Sequence, residues 1–183
     1  MYNVGMSQQL HSAMTQVLGM GYWANQNARS GGATNGHEAA VADLIKQHGF
    51  TEYPKSQFPK LTKSMLKKWA KSGNDADVRA ATQGMAPGGY ILQPAGTQGF
   101  PDVLVLDFVN EGAVPRFIAI ECKSGKKGLS PMWNDNLPNP DTIYILSSGR
   151  ANATTVFMGR DVITPAEIQC QINFFNEIGR AHV

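Results

Sequence analysis

The chain has 183 residues, of which 42% are apolar and 16% are charged. A chain of this length buries about 70% of the surface that it exposes when unfolded, so we expect a single domain over residues 1–183. The apolar content excludes an intrinsically disordered protein. With 16 basic and 14 acidic residues the net charge is +2, which by itself identifies neither a nucleic-acid-binding nor a membrane-binding protein.

The two cysteines, Cys122 and Cys170, have no CxxC or Cys/His pattern beside them. This isolation argues against a zinc site and against a disulfide framework. The first residues lack the basic and apolar regions of a signal peptide, and no apolar run approaches the 18 residues that indicate a transmembrane helix. We therefore expect a soluble, cytoplasmic protein with no membrane partner.

Four segments have the apolar spacing of amphipathic helices. The second follows a possible N-cap at Thr34 or Asn35 and stops at Gly49. The last begins with a capping box formed by Thr164 and Glu167, with proline at the first helical position. The predicted helices cover residues 7–18, 36–49, 61–69 and 164–179.

Four runs rich in β-branched and aromatic residues lie between the helices and predict strands. The first two runs are apolar on both faces, which is typical of central strands covered by helices on each side. This order predicts an α/β or α+β fold with a central mixed β-sheet flanked by helices. The predicted strands cover residues 103–109, 117–122, 142–146 and 154–158.

Three charged residues stand at the ends of the first two predicted strands, namely Asp102, Glu121 and Lys123. An antiparallel hairpin with its turn between Glu111 and Gly112 pairs residues whose numbers add up to 223, so Asp102 stands opposite Glu121. Directly opposed residues share a face and lie about 4.5–5.5 Å apart. Lys123, two residues beyond Glu121, points to the same side. The three side chains are therefore expected to converge.

Two facing carboxylates repel each other unless a cation or a proton lies between them, and Mg²⁺ prefers oxygen ligands of this kind. With a metal at Asp102 and Glu121, Lys123 is placed to orient or help to deprotonate an attacking water, a pattern that fits phosphodiester hydrolysis. The alternative is that the three are ordinary charges at strand ends. The strongly apolar strands around them favour the metal site.

Pro101-Asp102, an apolar strand, and Glu121-Cys122-Lys123 resemble the motif of the PD-(D/E)xK nuclease superfamily, and more narrowly of type II restriction endonucleases. Residues 93–98 and 133–138 also resemble that group, and the resemblance covers roughly residues 36–148. It implies a restriction-endonuclease-like α/β/α sandwich with a catalytic core at about 36–160, Mg²⁺ dependence and a 5′-phosphate product. It also implies that Asp102, Glu121 and the backbone carbonyl of Cys122 hold the metal, with Lys123 beside the attacking water.

This superfamily often carries a further acidic residue on an early helix, and Glu38 is the candidate here. It lies on the stripe of its helix that carries Val41, Ala42 and Ile45, which is expected to face the sheet. An acid on that stripe needs a partner. A glutamate that only favours the helix dipole in the first turn remains an equal alternative.

Six lysines and no acidic residue lie between Lys55 and Lys71. Four of these lysines are expected to align on the helix face opposite the apolar side chains of Leu61, Met65 and Trp69, namely Lys60, Lys63, Lys67 and Lys71. This face either follows a phosphate backbone or is simply solvated. Lys126, Lys127 and Arg150 are further candidates for phosphate contacts. Asn, Asp and Gln side chains in the loops are candidates for contacts with base edges. The predicted DNA-binding residues are Lys60, Lys63, Lys67, Lys71, Gln93, Gln98, Lys126, Lys127, Asn134, Asp135, Asn136 and Arg150.

These features together predict a type II restriction endonuclease that cuts a short specific site in double-stranded DNA. A palindromic site read by a two-fold symmetric protein makes a homodimer the expected form. One alternative is another nuclease on the same scaffold, such as a junction resolvase, a nicking enzyme or a repair enzyme. Another is a catalytically silent DNA-binding module.

Overall fold

A computed structural model describes residues 6–22, 36–97, 99–108, 114–125, 138–164, 166–167 and 170. Over these residues the chain forms a six-stranded sheet flanked by helices, an α+β architecture that confirms the predicted fold class. The helices are α1 (Gln8–Leu18), α2 (Gly36–Gln47), α3 (Lys63–Ser72) and α4 (Ala76–Ala81), with 3₁₀ turns at Lys55–Gln57 and Gly159–Asp161. The strands are β1 (Thr51–Glu52), β2 (Gly89–Leu92), β3 (Val103–Asp107), β4 (Arg116–Gly125), β5 (Thr142–Ser148) and β6 (Ala153–Met158).

The strands lie side by side in chain order, from β1 at one edge to β6 at the other. Strand β1 pairs with β2 in parallel, and so does β4 with β5, whereas the other neighbouring pairs are antiparallel. Strand β3 is buried along its whole length. A fully buried strand needs cover on both faces, so the middle of the sheet is an interior element.

The core has one layer on each face of this sheet. One layer joins α1 and α2 to side chains that include Val103, Val105 and Ile120. The other joins α3 and α4 to side chains that include Leu104 and Phe117. Neighbouring residues of one strand thus enter opposite layers, as strand alternation requires. The result is a helix, sheet and helix sandwich.

The predicted β3–β4 register is confirmed. Val103 pairs with Ile120 and Leu106 with Phe117, and each pair of residue numbers adds up to 223. The turn itself, at residues 111 and 112, lies outside the described residues. Strands β3 to β6 and helices α1 to α3 lie where the sequence predicts them, whereas β1, β2 and α4 have no counterpart in the prediction.

The last predicted helix is described only at its start. Thr164 Oγ1 accepts from the backbone N–H of Glu167, and Glu167 Oε2 accepts from the backbone N–H of Thr164 at 2.7 Å. These reciprocal hydrogen bonds are those of the predicted capping box. Among the described residues, none of the helices has the length and apolar character needed to cross a bilayer.

A buried polar contact ties α1 to the centre of the sheet. Ser7, the N-cap of α1, accepts from the backbone N–H of Leu10. Its own backbone N–H and hydroxyl both donate to the carboxylate of Asp107, at the end of β3. Asp107 is fully buried, and that burial raises its pKa while the donors from Ser7 oppose the shift. Ser7 therefore serves both as a helix cap and as a donor to a buried acid.

We expect Ser7→Ala to lower the free energy of unfolding by about 1–3 kcal/mol, because it removes a cap and a hydrogen bond to a buried carboxylate together. Urea denaturation monitored by circular dichroism measures the change. Ser12→Ala, on the same helix, is the control and should change the stability by no more than about 0.5 kcal/mol. Equal effects of the two substitutions would show that the contact with Asp107 is not structural.

Candidate active site

The site is built on the β3–β4 pair at the end of the sheet where β3 begins. The ladder ends at Val103 and Ile120, so Asp102 and Glu121 are the next pair in register. Strand β4 continues to Gly125 and pairs there with β5 alone. Beyond Ile120, the edge of β4 that was paired with β3 has no strand partner among the described residues. The side chain of Asp102 lies at this unpaired edge.

Asp102 is bonded through its side chain to the opposite strand. Its Oδ2 accepts from the N–H of Cys122 at 2.7 Å. This bond extends the β3–β4 ladder by one step and fixes the Asp102 carboxylate at the sheet end. Both residues are buried, with 9% of Asp102 and 8% of Glu121 exposed.

Lys123 lies beside Glu121, as the sequence predicts. Its Nζ donates to Glu121 Oε1 at 2.7 Å, and the side chain is about a quarter exposed. The second oxygen, Glu121 Oε2, is buried and has no hydrogen-bond partner among the described residues. An unpaired buried carboxylate oxygen is unfavourable. Glu121 thus keeps one oxygen available to a cation.

Glu38 approaches the same place from α2. It is buried, with 8% of the residue exposed, and its Oε2 accepts from Nε2 of Gln93 at 2.7 Å. Its charge contributes to raising the pKa values of both Asp102 and Glu121. Glu38, the predicted fourth residue of the site, is therefore near enough for its charge to act on both carboxylates. Glu38 comes from the layer of α1 and α2, whereas Glu121 and Lys123 lie on the β4 face that carries Phe117.

The electrostatics follow from three buried acids, of which Glu121 forms an ion pair with Lys123. Burial, and then the charges of Glu121 and Glu38, raise the pKa of Asp102 to about 8, against the opposing effect of the Cys122 N–H and Lys123. Burial also raises the pKa of Glu121, although Lys123 opposes that shift. The Cys122 thiol has its pKa raised well above its usual range by burial and by the same acids. Asp102 therefore keeps its proton to a higher pH than an exposed carboxyl group does.

The donor set is that of a hard cation. Asp102, Glu121 and Glu38 offer carboxylate oxygens, and Mg²⁺ is commonly bound by one or two carboxylates with water and substrate oxygens completing the shell. Among the described residues, no group of three or more His, Cys, Asp or Glu side chains is placed to hold a metal ion together. The residues that are present fit Mg²⁺ held chiefly by Asp102 and Glu121.

The predicted DNA-binding residues lie in several places. Lys63, Lys67 and Lys71 are exposed along α3. Lys60 is exposed but precedes the N-cap Thr62, so it lies before the helix and not on it. Arg150 is exposed in the turn between β5 and β6. The remaining predicted contacts, apart from Gln93, lie outside the described residues: Gln98, Lys126, Lys127, Asn134, Asp135 and Asn136.

Two parts of the site do not follow from the sequence prediction. Gln93, predicted to contact a base, donates to Glu38 in the structure. The backbone N–H of Cys122 is a donor to Asp102, which the motif spacing alone does not reveal. The second could have been found from the hairpin register, because the N–H of Cys122, two residues beyond the last paired residue Ile120, faces the β3 side and needs an acceptor.

We expect Asp102→Asn to stabilise the metal-free protein at alkaline pH. Since the pKa of Asp102 is raised from 3.8 to about 8 in the fold, the folded state gains stability from its proton below pH 4 and loses that gain as the pH rises through 8. Asparagine does not titrate, so its advantage over the wild type should grow from pH 5 to 9. A gain of about 1 kcal/mol corresponds to roughly 2–4 °C in Tm for a domain of this size.

Thermal unfolding in EDTA across this pH range is the measurement. Asp77→Asn is the matched control, since Asp77 is half exposed and paired with Lys68. A Tm difference between wild type and Asp102→Asn that does not vary with pH would contradict the buried, charge-opposed position of Asp102.

Comparison with protein-family models, with curated proteins and with solved structures found no match to this chain. The resemblance to the PD-(D/E)xK superfamily therefore depends on the motif residues Asp102, Glu121 and Lys123 and on the flanking stretches 93–98 and 133–138. The function is accordingly argued from the chemistry of this site.

Proposed function

We propose that this protein is a Mg²⁺-dependent deoxyribonuclease, and within that class a type II restriction endonuclease that hydrolyses phosphodiester bonds at a short specific site in double-stranded DNA. The observation that carries the proposal is the pair of buried carboxylates, Asp102 and Glu121, fixed across two strands with Lys123 bonded to one of them. A purely structural role does not account for this cluster, because burying several acids around one cation costs stability.

Each residue has a distinct part in the proposed hydrolysis. Asp102 and Glu121 would hold the metal, with the backbone carbonyl of Cys122 as a further ligand and Glu38 adding negative charge. Mg²⁺ bound there would supply positive charge against the negative charge that grows on the phosphoryl oxygens. Lys123 Nζ, held at Glu121 Oε1, orients the attacking water through its remaining N–H groups. Hydrolysis then leaves a 5′-phosphate.

Helix α3 supports the choice of a nucleic acid as substrate. Lys63, Lys67 and Lys71 recur every four residues, so they form one exposed row with about 6 Å between neighbours. Trp69 of the same helix packs edge-on against Phe117 of β4, with ring centroids 6.1 Å apart. Phe117 and Glu121 are an even number of residues apart and share a face of β4. The lysine row therefore belongs to the helical layer on the same face of the sheet as the side chains of Glu121 and Lys123.

We also propose a homodimer, because the part of each chain that the structure describes contains one such site, and cutting both strands of a palindrome takes two. A branch-specific or damage-specific nuclease on the same scaffold predicts cleavage of only those substrates. A silent binding module predicts DNA binding without any Mg²⁺-stimulated product. Digestion of a sequenced phage genome with Mg²⁺, followed by sequencing of the fragment ends, separates the three functions.

We expect Lys123→Ala to lower the cleavage rate by at least about 100-fold while DNA binding is largely retained, because the lysine acts on the water and not on the duplex. Single-turnover cleavage of a plasmid and a gel-shift assay measure the two effects. Lys46→Ala is the control, since Lys46 is exposed in the last turn of α2. Wild-type cleavage by a correctly folded Lys123→Ala variant would refute the proposed role.

We expect the double substitution Lys67→Ala and Lys71→Ala to weaken DNA binding for all sequences alike. The loss of two phosphate contacts should reduce the slope of log K against log salt by about 2. Lys68→Ala, on the same helix, is the matched control, because Lys68 already pairs with Asp77 at 2.8 Å. An unchanged salt dependence in the double variant would mean that α3 does not contact the phosphates.

A further inference from the structure

Gln93 connects three parts of the site. Its backbone N–H donates to the carbonyl of Asp102 at 2.6 Å, next to the β2–β3 ladder. Its side-chain amide donates to Glu38 Oε2 at 2.7 Å. The residue therefore lies between the strand end that carries Asp102 and the first turn of α2. Its position follows from the fold, because Leu92, directly before it, pairs with Val103, directly after Asp102.

The backbone at Gln93 is in an unfavourable conformation. Its φ is +48°, in the left-handed region that residues other than glycine, asparagine and aspartate rarely adopt. The following turn is closed by a hydrogen bond from the N–H of Gly96 to the carbonyl of Gln93. Glycine would adopt this backbone without strain, but it would lack the amide. A glutamine at such a position points to a role for its side chain.

The chemistry of the amide suits a site that must remain negative. Among the described residues, Lys123 forms an ion pair with Glu121, and no ion pair includes Glu38. A lysine or arginine at position 93 would hold Glu38 but would also cancel part of the charge that attracts a divalent cation. A neutral amide holds the carboxylate by a hydrogen bond and leaves that charge in place.

We propose that Gln93 is a positioning residue, which holds the carboxylate of Glu38 near Asp102 and Glu121 so that its charge strengthens the binding of a divalent cation by that pair. This inference rests on the proposed metal site but not on the identity of the substrate. It assigns Gln93 to the metal site and not to base recognition. Residues that orient metal-binding side chains typically change metal affinity by about 10- to 100-fold when they are replaced.

The test is a double-mutant cycle on the full chain without DNA, with Mn²⁺ as the probe and isothermal titration calorimetry as the readout. Gln93→Gly keeps the backbone conformation and removes the amide, and Glu38→Gln removes the charge that the amide holds. We expect Gln93→Gly to weaken Mn²⁺ binding about tenfold. In the Glu38→Gln background, the same substitution should have little further effect. The Tm in EDTA verifies that each variant is folded, since in Gln93→Gly the relief of strain is opposed by the loss of the donor to Glu38.

Gln57→Gly, at an exposed residue of a 3₁₀ turn, is the matched control and should leave Mn²⁺ binding unchanged. Equal Mn²⁺ affinity of the wild type and Gln93→Gly, or additive losses in the cycle, would overturn the role of Gln93 even if the wild type cleaves DNA. Coupled losses without any DNA cleavage would uphold that role and refute the nuclease. Absence of Mn²⁺ binding by the wild type would overturn both.

Discussion

The register of β3 against β4 is the constraint on which the candidate site depends. A shift of one residue would move Glu121 and Lys123 to the other face and place a different residue opposite Asp102. The register is held by the apolar side chains of both strands, which enter two separate core layers. The large hydrophobic area on each face therefore sets the position of a few charged groups at the strand ends. Those groups are themselves unfavourable where they lie, since burial and mutual repulsion raise the pKa values of both Asp102 and Glu121.

The sequence was sufficient to predict the parts of the fold that depend on local pattern. The β-branched apolar composition of the two runs and the turn at Glu111 and Gly112 predicted the β3–β4 pairing, and helical spacing predicted α1 to α3, because these signals lie within one or two adjacent elements. Strand β2 was missed because Gly89–Leu92 is only four residues long, which is too short for a clear local signal. Its place in the sheet depends on pairing with β3, a tertiary contact that no local pattern reports.

The site residues also divide into those that a local pattern predicts and those that depend on tertiary contacts. Asp102, Glu121 and Lys123 could be predicted because they belong to one hairpin and one register. Whether Glu38 joins the site or only favours its helix dipole could not be decided, because the answer depends on how α2 packs across the sheet. The structure places it in contact with Gln93, whose orientation follows from an unusual φ that composition does not encode. Each further residue therefore required a contact between elements that are distant in the chain.

The net charge of +2 is a poor guide to this molecule because charges of the two signs occupy different environments. The row of Lys63, Lys67 and Lys71 is exposed, where salt screens interactions beyond about 8 Å at physiological ionic strength. Asp102, Glu121 and Glu38 are buried, where screening is weak and a charge acts strongly on its neighbours. An exposed row of lysines attracts a polyanion along its whole length and does not require an exact position of each phosphate. A buried cluster selects a small cation in one place. The proposed nuclease needs both, and a sum over the whole chain cancels one against the other.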